Sequence, residues 1–142
     1  MPLEPYMLDT NTLIHFFKGQ GRVSDTEAVT LRLRLLALPP RSIGIPSIVV
    51  YELKVGIAKS QSPEKRQGQL QKLLEVVTFY TFGQDEADAA ALIRAGLEKK
   101  GTPIGAYDVL IAAVALANHA TLVTRNKDEF SRVPGLKLLD WY

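Results

Sequence analysis

The sequence contains no cysteine, and this absence removes several kinds of chemistry at once. Disulfide bonds, thiolate metal sites and cysteine nucleophiles are all excluded. Any metal must be held by oxygen ligands or by the two histidines, His15 and His119, which are not in metal-ligand spacing. The chain also has neither a GxxxxGK[ST] loop nor a GxGxxG turn. A nucleoside triphosphatase or a dinucleotide-binding enzyme therefore has no support.

Long apolar runs and a strong excess of one charge are lacking as well. The longest apolar run, VLIAAVALA at 109–117, is too short to span a bilayer, and no basic segment precedes the apolar residues of the N-terminal MPLEPYML. We expect a cytoplasmic protein without membrane association. The 17 Lys and Arg residues against 15 acids leave a net charge of +2, which neither demands nor excludes RNA as a partner.

The pattern of apolar residues predicts one α/β domain that spans residues 1–142. A hydrophobic share of 46% is enough for a core at this length. Short apolar segments alternate with helical ones, which predicts a three-layer α/β/α sandwich with a mostly parallel central sheet and right-handed crossovers. The predicted strands are 5–8, 41–45, 77–82, 120–124 and an edge strand within 134–142. The predicted helices are 10–17, one within 19–40, 46–60, 63–77, 85–101 and 106–119.

Asp9 is the first candidate functional residue, in the segment MLDTNTLIHFF at 7–17. It lies where a buried strand is followed by an amphipathic helix. In an open α/β sheet, that position faces the crevice beyond the carboxyl ends of the strands, which is the usual ligand site. The alternative is that Asp9 or Thr10 caps the helix by accepting hydrogen bonds from the amides of its first turn.

Glu52 and Asp108 are two further acids in apolar surroundings. Glu52 lies in IVVYELKVGI, a helix predicted to be largely buried, where an unpaired charge costs several kcal/mol. The alternative is a Glu at the rim of the buried face that pairs with Lys54 or Lys59. Asp108 begins the nearly charge-free helix AYDVLIAAVALANH. If Gly105 is the N-cap of this helix, a carboxylate in its first turn also favours the helix dipole.

These three acids come from separate segments, each next to the carboxyl edge of the predicted sheet. Carboxylates that share one crevice repel each other unless a divalent cation compensates them. Oxygen ligands with retained water are the preference of Mg²⁺ or Mn²⁺. Such ions commonly assist the hydrolysis of phosphate esters, and the set of acids therefore suggests this chemistry.

The chain resembles the PIN domain, and in particular the toxin ribonucleases of VapBC toxin-antitoxin modules. Four ordered motifs carry the resemblance: MLDTNTLI, SIVVYELKVGI, GTPIGAYDVLIAAVALA and TLVTRNKDEFSRVPGLKLLDW. The resemblance implies that Asp9, Glu52 and Asp108 bind Mg²⁺ or Mn²⁺ and cleave single-stranded RNA. The fourth family position is often Asp, but this chain has Asn126 there, which leaves a second metal in doubt. An amide oxygen still ligates a hard cation or holds a metal-bound water, without the charge. Asp128 is a possible substitute, and its alternative is a first-turn acid of the short KDEF segment.

Five neighbours of these acids are candidates for substrate or supporting contacts. Thr10 and Asn11 are expected to orient metal-bound water, or else they only begin the helix. Ser47 and Thr124 are expected to hold the carboxylates by hydrogen bonds, although hydroxyls are common at strand ends. Arg125 has the fork of donors that suits a substrate phosphate, but a surface arginine needs no such role.

The resemblance implies a toxin that is a metal-dependent endoribonuclease with an RNA substrate, for which transfer RNA is one candidate. It also implies an antitoxin of the VapB type, and the chain is expected to form a homodimer. The alternative is a catalytically silent PIN-fold module that binds RNA or protein, and Asn126 is the feature that favours it.

Overall fold

The computed structural model describes residues 4–18 and 26–141. Five strands and seven helices alternate in these residues. The strands are β1 (Tyr6–Leu8), β2 (Ile43–Pro46), β3 (Thr78–Tyr80), β4 (Thr121–Val123) and β5 (Lys137–Leu139). The helices are α1 (Thr10–Lys18), α2 (Thr26–Leu36), α3 (Ser47–Ala58), α4 (Pro63–Leu74), α5 (Gln84–Lys99), α6 (Ala106–Ala117) and α7 (Lys127–Phe130).

The strands form one parallel sheet in the order β3-β2-β1-β4-β5. The strands β2 and β3 are added in turn on one side of β1. The chain then returns across the sheet, and β4 and β5 are added on the other side of β1. Right-handed crossovers place the helices of these two halves on opposite faces. The predicted three-layer sandwich is confirmed, with the strand within 134–142 at an edge of the sheet.

The central strand β1 creates the crevice that the functional residues occupy. It pairs with β2 on one side and with β4 on the other, so the direction of the chain reverses here. In a parallel sheet, such a reversal opens a gap beyond the carboxyl ends of the strands. Leu8 pairs with Val123, and Asp9 and Thr124 therefore leave the sheet side by side.

The prediction that α3 is largely buried is wrong. Val49, Val50 and Leu53 are buried, but Tyr51 and Val55 are 51% and 39% exposed. An apolar sequence shows that a helix can be buried, but it does not show how many of its sides have neighbours. The helix α6, also predicted to be buried, has Val109 and the segment 111–115 in the core, as expected.

The start of β2 and the start of α3 also differ from the prediction. Arg41 and Ser42 belong to a 3-10 turn rather than to the strand. The Arg41 guanidinium donates to the Val77 carbonyl at 2.9 Å, and the Ser42 hydroxyl donates to the Pro39 carbonyl at 2.6 Å. These bonds hold the turn in place of strand pairing. Pro46 ends β2 and caps α3, instead of lying in the first helical turn.

Gly44 in the middle of β2 permits the close packing of this sheet. An added Cβ would lie 2.6 Å from the Tyr80 ring and 3.0 Å from the Met7 sulfur. We expect Gly44→Ala to lower the free energy of unfolding by about 1–3 kcal/mol, because it overpacks the core. Gly56 in α3 is the matched control, since nothing lies within 4 Å of its added Cβ. Gly56→Ala should raise the free energy of unfolding by about 0.5–1 kcal/mol through helix propensity. Urea denaturation measures both, and equal effects would contradict this account.

Candidate active site

Asp9 is almost fully buried at the carboxyl end of β1, and both of its side-chain oxygens are held. Its Oδ1 accepts a hydrogen bond from the Thr12 amide at 2.9 Å, and its Oδ2 accepts one from the Thr124 hydroxyl at 2.5 Å. The first bond caps α1, so the alternative that Asp9 is a helix cap is confirmed. A carboxylate has about four lone-pair positions, however, and these bonds leave acceptor capacity toward the crevice. Asp9 is therefore both a helix cap and a fixed acid of the crevice.

Thr12 was not among the predicted residues, but it completes the support of Asp9. Its hydroxyl donates to the Val123 carbonyl at 2.9 Å, which ties the start of α1 to the end of β4. Both Thr12 and Thr124 are fully buried. Thr124 makes the bond to a carboxylate that the sequence suggested for it. The Thr12 amide from α1 and the Thr124 hydroxyl from the end of β4 together fix the direction of the Asp9 carboxylate.

Glu52 projects from α3 toward the start of α1. Its Oε1 accepts a hydrogen bond from the Thr10 hydroxyl at 2.8 Å. In the part of the chain that the structure describes, no ion pair joins Glu52 to Lys54 or Lys59, so the pairing alternative is wrong here. Thr10 thus links the acid of α3 to the segment that carries Asp9.

Asp108 lies half-buried in the first turn of α6, with Gly105 as the N-cap. Burial raises its pKa to about 7, and a hydrogen bond with Glu129 and the charges of Glu129, Asp9 and Glu52 add to the rise. The pKa of Glu129 is lowered by its hydrogen bonds with Asp108 and Asn126. Near neutral pH, a substantial fraction of Asp108 therefore keeps a proton that it shares with Glu129, because burial and the negative charge of its neighbours both disfavour the carboxylate.

Glu129, in the short helix α7, is a second residue near the acids that was not predicted from the sequence. After β4, only Asn126 and Asp128 were predicted as candidate metal ligands. The Asn126 side-chain amide donates to Glu129 at 3.1 Å, and its backbone amide donates to the Thr124 hydroxyl at 2.9 Å. Asp128 is exposed in the first turn of α7, as its alternative predicted. The detectable signal was the spacing of Asn126 and Glu129, which places both on one face of a helical turn.

The other predicted neighbours make fewer contacts with the acids. Asn11 is exposed and Ser47 is partly buried, and no hydrogen bond between described residues joins either of them to a carboxylate of the crevice. The expected role of Ser47 in holding an acid is therefore not seen. Arg125 is exposed directly after Thr124, at the rim of the crevice.

Two exposed tyrosines lie beside the acids. Tyr51 precedes Glu52 on α3, and Tyr107 precedes Asp108 on α6. Their hydroxyls are 3.2 Å apart. This hydrogen bond raises the pKa of Tyr107, and the charge of Glu52 adds to the rise. The hydroxyl end of the pair therefore lies within electrostatic reach of the crevice.

The donor chemistry of the crevice fits a hard divalent cation. Asp9, Glu52, Asp108 and Glu129 offer only oxygen, and burial together with the negative charge of the other acids raises the pKa of Asp108 to about 7. Across residues 4–18 and 26–141, however, no three acidic or histidine side chains already meet as ligands of one ion. The Asp108 side chain is hydrogen-bonded to Glu129 instead. Cation binding would therefore require these two side chains to separate and Asp108 to lose its proton.

Comparison with known proteins identifies the fold family. The family model of the PIN domain matches residues 6–136. This chain belongs to the PIN-domain family. Ribonuclease VapC2 of Rickettsia felis is 38% identical to it over 136 residues, which cover 96% of this chain and 97% of that protein. A tRNA(fMet)-specific endonuclease VapC of Salmonella typhimurium is 34% identical over 136 residues, with the same coverage.

Solved structures support the same assignment of this PIN domain. The structure of DNA-bound VapBC from Salmonella typhimurium superposes with a TM-score of 0.85 at 33% sequence identity. The match covers 99% of this chain and 100% of that chain. Fold and length therefore agree over the whole PIN domain. Of the helices that the structure describes, none combines the length and the apolar character that crossing a bilayer needs.

The proton on Asp108 makes the stability of the metal-free PIN domain depend on pH. Because its folded pKa of about 7 lies above the ordinary value of 3.8, folding retains a proton that the unfolded chain loses. This contribution is complete below the ordinary value and is lost as the pH rises through about 7. The lowered pKa of Glu129 acts in the opposite sense, but only in more acidic solution. We expect the melting temperature in chelator to fall from about pH 5.5 to about pH 8.

Asp108→Asn is the control for this pH dependence, because it removes the titrating group and keeps the shape. The slope of melting temperature against pH should flatten in this variant. Asp108 is only half-buried, so solvent screening reduces the size of the effect. A wild-type melting temperature that is constant or rises over the same range would contradict the shared proton.

Proposed function

We propose that this chain is the toxin ribonuclease of a toxin-antitoxin pair and that it hydrolyses RNA with Mg²⁺ or Mn²⁺. The observation that carries the proposal is the convergence of Asp9, Glu52, Asp108 and Glu129 at one crevice, in a family of ribonucleases. Sequence identity of 38% and 34%, over nearly the full length, to proteins named ribonuclease or endonuclease supports the nuclease activity. The dependence on a divalent ion rests on the charge and the oxygen chemistry of these acids.

Asp9, Glu52, Asp108 and Glu129 are the residues that would hold the ion, with Asn126 beside them. The bound ion would supply charge compensation for the phosphate and would lower the pKa of a water molecule. Thr12 and Thr124 keep the Asp9 carboxylate in a fixed orientation, so little reorganisation is needed at this acid. Asp108 is expected to release its proton once positive charge neutralises its neighbours.

The proposed reaction adds one water across a phosphodiester bond. Water attacks phosphorus, the bond from phosphorus to the 3′ oxygen breaks, and the products carry a 5′-phosphate and a 3′-hydroxyl. No protein nucleophile is needed. Transfer RNA is the proposed substrate, because the Salmonella typhimurium relative is named for tRNA(fMet).

The silent-module alternative depended on Asn126, which lacks the charge of the usual Asp. In this structure Asn126 donates to Glu129 at 3.1 Å, so a carboxylate does reach this part of the crevice from α7. Replacing the Asp by Asn therefore does not reduce the number of acids to three. This contact favours the enzyme over the silent module.

The first test is the cleavage of transfer RNA by variants of each acid. Asp9→Asn, Glu52→Gln, Asp108→Asn and Glu129→Gln should each lower the rate by about two or more orders of magnitude, because each removes charge from the reacting centre. Asp128→Asn is the matched control, since Asp128 is exposed in the same short helix as Glu129. It should retain the wild-type rate. Equal rates in wild type and all four variants would refute the proposed site.

The second part of the proposal is a VapB-type antitoxin as the partner. The Salmonella typhimurium structure contains a VapBC pair bound to DNA, and the match to this chain covers the full length of the compared chain. An apolar cleft lies where α1, α2 and α4 approach the sheet, lined by residues that include Phe16, Leu35, Leu36, Leu73 and Val76. The segments TLIHFF in α1 and LRLRLLAL, most of which lies in α2, carry more Leu, Ile and Phe than a solvated helix needs and are candidates for an apolar docking surface. Leu13 and Phe16 of α1 are instead buried, whereas Leu36 of α2 is 61% exposed.

Co-expression with the neighbouring gene tests the partner. A tagged copy of this chain should recover a short protein encoded beside it, and growth arrest by this chain alone should disappear in its presence. Leu36→Glu should weaken recovery at least tenfold, because it places a charge at the apolar cleft. Leu92→Glu is the matched control, since Leu92 is 78% exposed on α5. Loss of recovery in both variants, or in neither, would reject the cleft as the docking site.

A further inference from the structure

Tyr51 and Tyr107 form an exposed aromatic pair between α3 and α6. Their ring centroids are 5.7 Å apart and their planes meet at 63°, an edge-to-face arrangement. The hydroxyls are 3.2 Å apart. The two side chains are 51% and 45% exposed, although they contact each other. The pair therefore offers solvent-accessible ring surface in a fixed position.

The pair lies directly beside the acids of the crevice. Each tyrosine is the sequence neighbour of an acid, Glu52 on α3 and Asp108 on α6. A phosphodiester that reaches these acids carries a nucleoside on each side, and the charge of Glu52 already acts on the Tyr107 hydroxyl. The position of the pair is thus set by the same two helices that position the acids.

Stability alone does not account for this exposure. An edge-to-face pair of aromatic rings contributes about 0.5–1.5 kcal/mol beyond the area it buries, but these rings leave half their surface in water. Single-stranded RNA, in contrast, presents unstacked bases whose faces prefer aromatic partners. Stacking of this kind tolerates any base, because every base has a π-face.

We infer that Tyr51 and Tyr107 form a stacking platform for an RNA base next to the scissile phosphate. This inference rests on the proposed function and adds a determinant of substrate positioning to it. The platform holds a nucleoside that is splayed out of a loop or strand, while the acids act on the adjoining phosphate. The tyrosines are positioning residues for RNA and take no part in bond breaking.

A binding comparison tests the platform. The probes are a fluorescent twelve-nucleotide single-stranded RNA and an abasic chain of the same length, measured by anisotropy in Mg²⁺ with the cleavage-disabled Asp9→Asn protein. This background should prefer the RNA with bases. Tyr51→Ala and Tyr107→Ala should each weaken binding of that RNA about tenfold, near the lower end of the range for loss of one stacked base. Binding of the abasic chain should stay within about twofold, because its phosphates make the same contacts.

Conservative and distant variants separate stacking from a structural role. Tyr51→Phe and Tyr107→Phe keep the rings and should keep the preference for bases, although the bond between the hydroxyls is lost. Phe79→Ala removes an aromatic ring that is 47% exposed on β3, two strands away from β1, and should change neither affinity. In the active protein, the alanine variants should raise KM for transfer RNA about tenfold with kcat within about twofold.

Three outcomes would overturn the platform. They are an unchanged preference for bases in the alanine variants, an equal loss for both probes, and a loss that follows dissociation of a dimer in sedimentation. The last would assign the pair to an interface between two copies of this chain. A protein that cleaves RNA without a tyrosine-dependent preference for bases would reject the platform alone. Base-dependent binding in a protein that does not cleave RNA would reject the proposed function alone.

Discussion

Repulsion among carboxylates at the carboxyl edge of the sheet is the constraint on which the site depends. Asp9, Glu52, Asp108 and Glu129 come from four segments, and burial together with the charges of the other three raises the pKa of Asp108 to about 7. A fold gains no stability by collecting like charges in a partly buried crevice. The arrangement stores an unfavourable interaction that positive charge relieves, and a cation or a basic side chain of a partner would each relieve it. In the proposed function, one electrostatic feature would thus connect metal binding, catalysis and inhibition.

The rest of the fold holds these acids in place against that repulsion. The register of β1 with β4 brings Asp9 next to Thr124, and the Thr12 hydroxyl ties α1 to Val123. The buried helix α6 holds Asp108 in its first turn, at the end of the helix that faces the crevice. Because these supports belong to the core, Asp9 and the helical turn that carries Asp108 cannot leave the crevice without loss of packing. Glu129 lies instead on a helix of four residues, where hydrogen bonds with Asn126 and the Gly105 backbone hold the side chain that shares the proton.

The sequence was sufficient for the parallel sheet and for placing Asp9, Glu52 and Asp108 near one another, because apolar segments with strand and helix periodicity mark the ends of elements. It was not sufficient for Glu129. A helix of four residues, such as α7, is too short to show periodicity. The fourth acid position of the PIN-domain motif corresponds to Asn126, so only Asn126 and the nearby Asp128 were predicted there. The exposure of Tyr51 and Val55 was missed for a different reason: an apolar pattern does not show which sides of α3 find neighbours. Roles that depend on contacts across the chain, such as the bond from Thr10 to Glu52, need the three-dimensional arrangement.

The central claim is that the four acids hold a divalent cation in exchange for the proton on Asp108. Titration calorimetry with Mn²⁺ near pH 6, repeated in buffers of different ionisation enthalpy, measures this most directly. The account predicts saturable binding whose apparent heat varies with the buffer, because about one proton is released for each ion bound. It also predicts that this buffer dependence disappears in Asp108→Asn and that Glu129→Gln binds more weakly. Absence of binding at millimolar Mn²⁺, or binding of equal strength and equal proton release in both variants, would contradict it.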